Sequence, residues 1–328
     1  MSRSRTRSLC IANLQEVTRE QGRTDAPCST CPKKTGTEID GAQSLLFNLD
    51  SANCDVVHTL KTFNTAADFM KEKSKVDFCG HTYVIKNCPD LQAALDERHA
   101  KSAMGIFRVQ YPFSRQAQEY KRGQTPFVAT NKSTIRERLL ELTPKTDIQY
   151  FDDDSKMHTR LLNQISLFAA SAGMYYKGFE RHAMPNCRYQ TAGEREIMVM
   201  ELNHLSDFAM KIGVNVVPGQ DFTTYMDSVV DALLCSGGVK TFKDVGGKLH
   251  RGIVSAGQFS HVPLGAMCLE RTVGSTEVYG MRTMCLPPTD SAVYSSFCKM
   301  VEQAKVAAPD AQLTKFWTAV REEYHKVK

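Results

Sequence analysis

Several signatures by which enzymes can be read are missing from this chain of 328 residues. There is no His-Glu-x-x-His for a helix-borne zinc, no Gly-x-Ser-x-Gly for a nucleophilic serine and no Gly-x-Gly-x-x-Gly for a dinucleotide. Gly238-Val-Lys-Thr241 and Gly246-Gly-Lys-Leu249 look like pieces of a phosphate loop. The first has no Gly before its Lys and the second no hydroxyl after it, so a P-loop nucleoside triphosphatase is excluded. Pro27-Cys-Ser-Thr-Cys-Pro32 invites a zinc deaminase, but that chemistry needs an upstream His-x-Glu, and the first histidine here is His58. Missing too are a run of transmembrane length, an internal repeat and a long low-complexity tract. The expectation is a chain without a membrane partner.

The composition is that of a globular protein: 42% hydrophobic and 23% charged, with a net charge of +5. A core of this size needs neither disulfides nor metal to fold. The mild positive excess permits a phosphate-rich partner without requiring one. Eleven cysteines, an odd number, argue against a full disulfide framework. The start is polar and basic, with Arg3, Arg5 and Arg7, and no apolar run of signal-peptide length follows it. Together these features lead us to expect a reducing, cytoplasmic setting, or a virion if the chain is viral.

The centre of the chain carries the strongest pattern. A helix is expected from Asp154 or Ser155 to Gly173, with Met157, Leu161, Leu162, Ile165 and Phe168 along one stripe. A second is expected to open with the capping box Thr191-Ala-Gly-Glu194 and run through Ile197, Met198, Leu202, Leu205, Phe208 and Ala209 to Gly213. Between them Tyr175, Tyr176, Phe179 and Tyr189 alternate with Lys177, Arg181, His182 and Arg188. Aromatic faces stack on unpaired bases and cations neutralise phosphate, which suits single-stranded nucleic acid. The plainer alternative is that the tyrosines complete the core while the cations sit in water. Lys132, Arg136 and Arg138, in a basic stretch from Ser114 to Lys145, are expected to line the same groove.

Cys28 and Cys31 have the spacing of half a zinc site, and Cys79 and His81 are candidates for the other half, with Cys54 and Cys88 as further thiols. Reduced, metal-free thiols are the alternative. Asp152-Asp-Asp154 offers oxygen ligands for Mg²⁺, but adjacent side chains diverge, and capping of the following helix is the better use.

Elsewhere Thr65-Ala-Ala-Asp68 starts a short helix, and residues 76–86 read as a hairpin turning at Gly80. Thr134 caps a helix with Ile135, Leu139, Leu140 and Leu142 facing inward, and Asp221 caps another with Met226, Val229, Val230, Leu233 and Leu234 inside. Residues 237–274 are glycine-rich and read as irregular. A strand over residues 277–286 precedes a helix with Val293, Phe297, Met300 and Val301 inside. A last helix begins at Pro309, and its large apolar side is expected to dock on its own domain, with docking on a neighbouring copy as the alternative.

The fold class expected is mainly α with a minor β component (α+β): a two-lobed helical body with short hairpins in the N-terminal part. The divisions are a basic arm and loop over 1–40, a mixed α/β lobe over 41–145 and a helical lobe over 146–328. The function expected is that of a self-assembling, single-stranded-RNA-binding protein of the coat or nucleocapsid type. The RNA contacts would be Lys132, Arg136, Arg138, Tyr175, Tyr176, Lys177, Phe179, Arg181 and Arg188. Two alternatives stand beside it: a cytosolic enzyme with an unrecognised, zinc-supported site, and a scaffold subunit of a larger complex.

Overall fold

Strands, not helices, organise the described part of the chain. The computed structural model describes residues 55–89, 123–126, 138–144, 166–170, 175–176, 185–213, 237–283 and 287–307, with positions 91, 229, 232–233, 309, 314–315, 318–319 and 321–322. The strands are β1 (Val57–Thr59), β2 (Lys61–Thr65), β3 (Tyr83–Asn87), β4 (Gly123–Pro126), β5 (Ser166–Ala170), β6 (Tyr175–Tyr176), β7 (Asn186–Ala192), β8 (Glu194–Met200), β9 (Leu249–Ser255), β10 (Phe259–Val262), β11 (Met267–Val273) and β12 (Val278–Thr283). The helices are α1 (Ala66–Lys73), α2 (Leu202–Lys211), α3 (Gly238–Asp244) and α4 (Ala292–Ala307).

The strands form two mixed sheets, one in the order β1-β9-β8-β11-β6 and the other in the order β2-β3-β10-β7-β12-β5-β4. The pairs β1–β9 and β2–β3 are parallel and the rest antiparallel. The expectation of a mainly α body is therefore overturned. Both sheets also mix strands from before and after residue 145.

The misreading has a physical cause. Ile197 to Met200 are all at most 1% exposed, because β8 is covered on both faces. A strand buried on two sides reads as a continuous apolar run and loses its alternation. The Thr191–Glu194 capping box is instead the turn from β7 to β8. Gly193 sits there at φ 71°, and a Cβ on it would lie 2.4 Å from the carbonyl oxygen of Glu277. Residues 166–170 of the expected first helix form β5, since so short an apolar run carries no decisive period. Residues 237–274 hold α3, β9, β10 and β11. The expected hairpin at 76–86 keeps only its second strand, β3, which pairs with β2 and β10.

Other local signals act as read. The Thr65 hydroxyl accepts from the Asp68 N–H at 3.1 Å and the Asp68 carboxylate accepts from the Thr65 N–H at 3.1 Å, closing the box that starts α1. β12 and α4 fall where expected, and Val293, Phe297, Met300 and Val301 are buried. Ser291, rather than Asp290, receives the first-turn N–H of Tyr294. Leu139, Leu142, Val229 and Leu233 are buried as expected. The expected strands near residues 105–111 and 148–151, and most of the last helix, lie outside the described residues.

One core lies between the sheets, where Ile197, Val199, Val254 and Cys268 meet Val84 and Val262 around Leu60. A second lies on the opposite face of the seven-stranded sheet. There Phe69 of α1 stacks on Tyr83, ring centroids 4.7 Å apart, among Phe63, Phe78, Tyr189 and Phe259. Full burial of each such ring stabilises the fold by about 1.5–3 kcal/mol. The Tyr83 hydroxyl donates to the carbonyl of Leu142 at 2.8 Å, tying this core to the helical turn at 138–141.

Candidate metal centre

The chain leaves β8 at Met200 and turns at once into α2, whose N-cap is Glu201. Glu201 is extended (φ −70°, ψ 152°), yet its side chain caps nothing in its own helix. Its carboxylate accepts the backbone N–H of Thr82 at 3.0 Å instead. Nδ1 of His81 stands 3.4 Å from one carboxylate oxygen and Nε2 of His250 stands 3.7 Å from the other. The three-residue step from Glu201 puts His204 on the same side of α2. His250 comes from β9, opposite Val199 in register, and shares the inner face of its sheet. His58 of β1 lies beside His250 in the parallel register, rings 6.2 Å apart. The site is thus built where the two sheets part and α2 begins.

The ligand atoms of Glu201, His204 and His250 all lie within 4.8 Å of one another. Donors on one ion, bonded at about 2.1 Å, sit roughly 3–4 Å apart. The Glu201–His250 separation of 3.7 Å already falls in that range. Among the described residues this is the one group of three or more side chains able to hold a metal.

The protonation states suit ligation. Burial pushes the His204 and His250 imidazoles below their ordinary pKa, against the pull of Glu201. Both are therefore neutral near pH 7, with a lone pair to give. Burial alone would raise Glu201, but the His81 contact and the Thr82 N–H help to outweigh it and hold the carboxyl below its usual value. The same ion pair raises His81. Beneath the site His261, wholly buried, is pushed down to about 4 by burial. Its Nδ1 donates to the carbonyl of His81 at 2.9 Å, and its ring stacks on Tyr83 at 5.0 Å.

Of the nine residues expected to contact RNA, Arg138, Tyr175, Tyr176 and Arg188 lie among the described residues. Arg188 is 1% exposed and lies between the sheets, where it donates to Glu270 at 2.6 Å. Arg195 stands 3.2 Å from the same carboxylate, and Phe168 lies over both guanidinium groups. This corrects the assignment of Arg188 to phosphate: its charge is spent inside the fold. Arg138 is exposed and paired with Glu141, 3.1 Å away. Tyr175 and Tyr176 form β6, at the edge of the five-stranded sheet, opposite Arg271 and Glu270 of β11. Lys132, Arg136, Lys177, Phe179 and Arg181 lie outside the described residues, as do Cys28 and Cys31. Cys79 is buried and reduced, and its N–H is received by Asp77. His81 faces Glu201, outside the three-ligand group.

Sequence reasoning missed Glu201, His204 and His250. Glu201-x-x-His204 on a helix was the one local signal, and a single such pair is too common to single out. No protein-family model matches the chain and no curated protein matches it. No described helix is long and apolar enough to cross a membrane.

Proposed function

We propose that this protein is a metal-dependent enzyme of the hydrolytic class, with Glu201, His204 and His250 as the ligands of one divalent transition metal ion. The observation that supports this reading is the convergence of one ionised carboxylate and two neutral imidazoles beside solvent. Structural zinc sites close with four protein ligands, whereas three ligands leave room for water or substrate. Two imidazoles with one carboxylate favour zinc, iron or cobalt over calcium and magnesium, which take oxygen.

A bound ion would supply Lewis acidity to an oxygen held in the open positions. The chain's own work is orientation. The Thr82 N–H and His81 hold Glu201 so that one carboxylate oxygen is presented to the ligand group. The β8–β9 pairing fixes His250, and the first turn of α2 fixes His204.

The enzyme alternative thus moves from the cysteine set to a different set of donors. The RNA-packaging and self-assembly readings draw no support from the described residues. Metal analysis of the full chain, after chelation and reloading with Zn²⁺ or Co²⁺, tests the proposal. The expected result is one ion per chain in the native protein and less than a tenth of that in Glu201→Gln and His250→Ala. Unchanged loading in both variants would refute it. A screen of ester, amide and phosphoester substrates on the reloaded protein then tests the hydrolytic assignment.

A further inference from the structure

We infer that the substrate of this centre presents an anionic oxygen group, a phosphate or a carboxylate, and that Lys248 holds that group beside the ion. The inference rests on the metal-centre reading above and adds the substrate class. The ligand group has one negative charge, so a divalent ion within it keeps one positive charge. Substrate charge of the opposite sign is then the natural complement.

Lys248 is placed by the segment that resembled a phosphate loop. Gly246, at φ 71°, ends α3, and Gly247 follows with no room for a side chain. A Cβ on Gly247 would lie 2.4 Å from the ring of Phe242. The next residue, Lys248, immediately precedes β9 and lies two positions before His250. Lys248 is exposed, has no ion-pair partner among the described residues, and its charge reaches His204. On the other flank His58 is exposed beside His250.

Among the described residues the opposing charges are few. Asp77 acts on His81, and its carboxylate is engaged by the Cys79 N–H at 2.8 Å. Asp207 acts on His204 from within α2. Lys61, near His81, is itself paired with Glu72. What remains beside the ligand group is a free ammonium and an exposed imidazole, a pair suited to oxyanions. Lysine binds such groups as a compact, mobile charge.

The test uses the full chain loaded with Co²⁺, whose visible spectrum reports what enters its open positions. Inorganic phosphate, acetate and neutral imidazole are titrated separately into wild type, Lys248→Arg and Lys248→Glu. Phosphate or acetate should change the wild-type spectrum saturably, and the stronger binder identifies the group. Lys248→Glu should weaken that anion at least about tenfold, the worth of one hydrogen bond between charged groups. It should leave Co²⁺ loading and imidazole binding unchanged, and Lys248→Arg should retain most of the affinity. Equal anion binding by Lys248→Glu would overturn the role of Lys248, as would equal weakening of imidazole. Failure of the wild type to bind Co²⁺ would remove the metal centre itself, a different outcome from loss of anion binding alone.

Discussion

Arg188 of β7 and Glu270 of β11 meet in the space between the two sheets, both at most 3% exposed. They come from strands in different sheets, so the contact joins one layer to the other. Arg195 is anchored beside them, donating to Gln190 at 2.9 Å and to the hydroxyl of Ser260 at 2.5 Å. Replacing one member leaves its partners charged in a dry interior. Glu270→Ala should therefore cost roughly 3–5 kcal/mol in urea unfolding. The double variant Arg188→Met/Glu270→Met should cost less than the sum of its single variants. Strict additivity would mean that the two charges do not act as a pair.

Metal removal should be felt in stability as well as composition. An ion that binds only the folded chain raises the melting temperature as its concentration passes its dissociation constant. Zn²⁺ should thus raise the melting temperature of the chelated wild type and leave that of His204→Ala unmoved. An equal rise in both would place the ion elsewhere.

His261 makes stability depend on acid. Its folded pKa of about 4 lies below the unfolded value of 6.5, so the unfolded chain binds the proton more readily. Stability is complete above pH 6.5 and falls as pH drops toward 4, by roughly 3 kcal/mol in all. His261→Gln, measured by urea unfolding from pH 7.5 to 4, should lose most of that slope. The same slope in the variant would assign the acid sensitivity to other groups.

Gly280 marks the closest approach of β12 to β7. A Cβ there would lie 2.1 Å from the carbonyl oxygen of Tyr189, next to the register shift at Tyr279 and Gly280. Gly280→Ala must push two central strands apart, and a loss of at least about 2 kcal/mol is expected from the strain. Wild-type stability in that variant would show that the two strands can separate at little cost.

The expectation of RNA packaging meets a direct check on a sizing column with light scattering. The metal-centre reading predicts a protein-like 260/280 nm absorbance ratio that nuclease does not change. A large species rich in nucleic acid, falling apart on nuclease treatment, would restore the packaging reading.

Local rules were enough wherever a feature depends on neighbours in the chain. The Thr65–Asp68 capping box starts α1 because both partners lie within one turn, and no distant contact is needed. The same holds for the apolar spacing of Leu202, Leu205, Phe208 and Ala209 in α2 and of Val293, Phe297, Met300 and Val301 in α4. Those signals fail for β8, where Ile197, Met198, Val199 and Met200 are apolar at every position. A helix buried all round would look the same. What makes β8 a strand is the ladder it forms with β9 and β11, from residues 249–255 and 267–273.

The site divides in the same way. By itself the sequence determined the residue types available, the short helices and the exclusion of several known chemistries. The tertiary structure alone decided that Arg188 is internal, because a strand's two faces carry no label until the sheets are stacked. It also brought His250 to Glu201 across 49 residues of chain, since β-pairing joins segments by register and sequence spacing does not encode it.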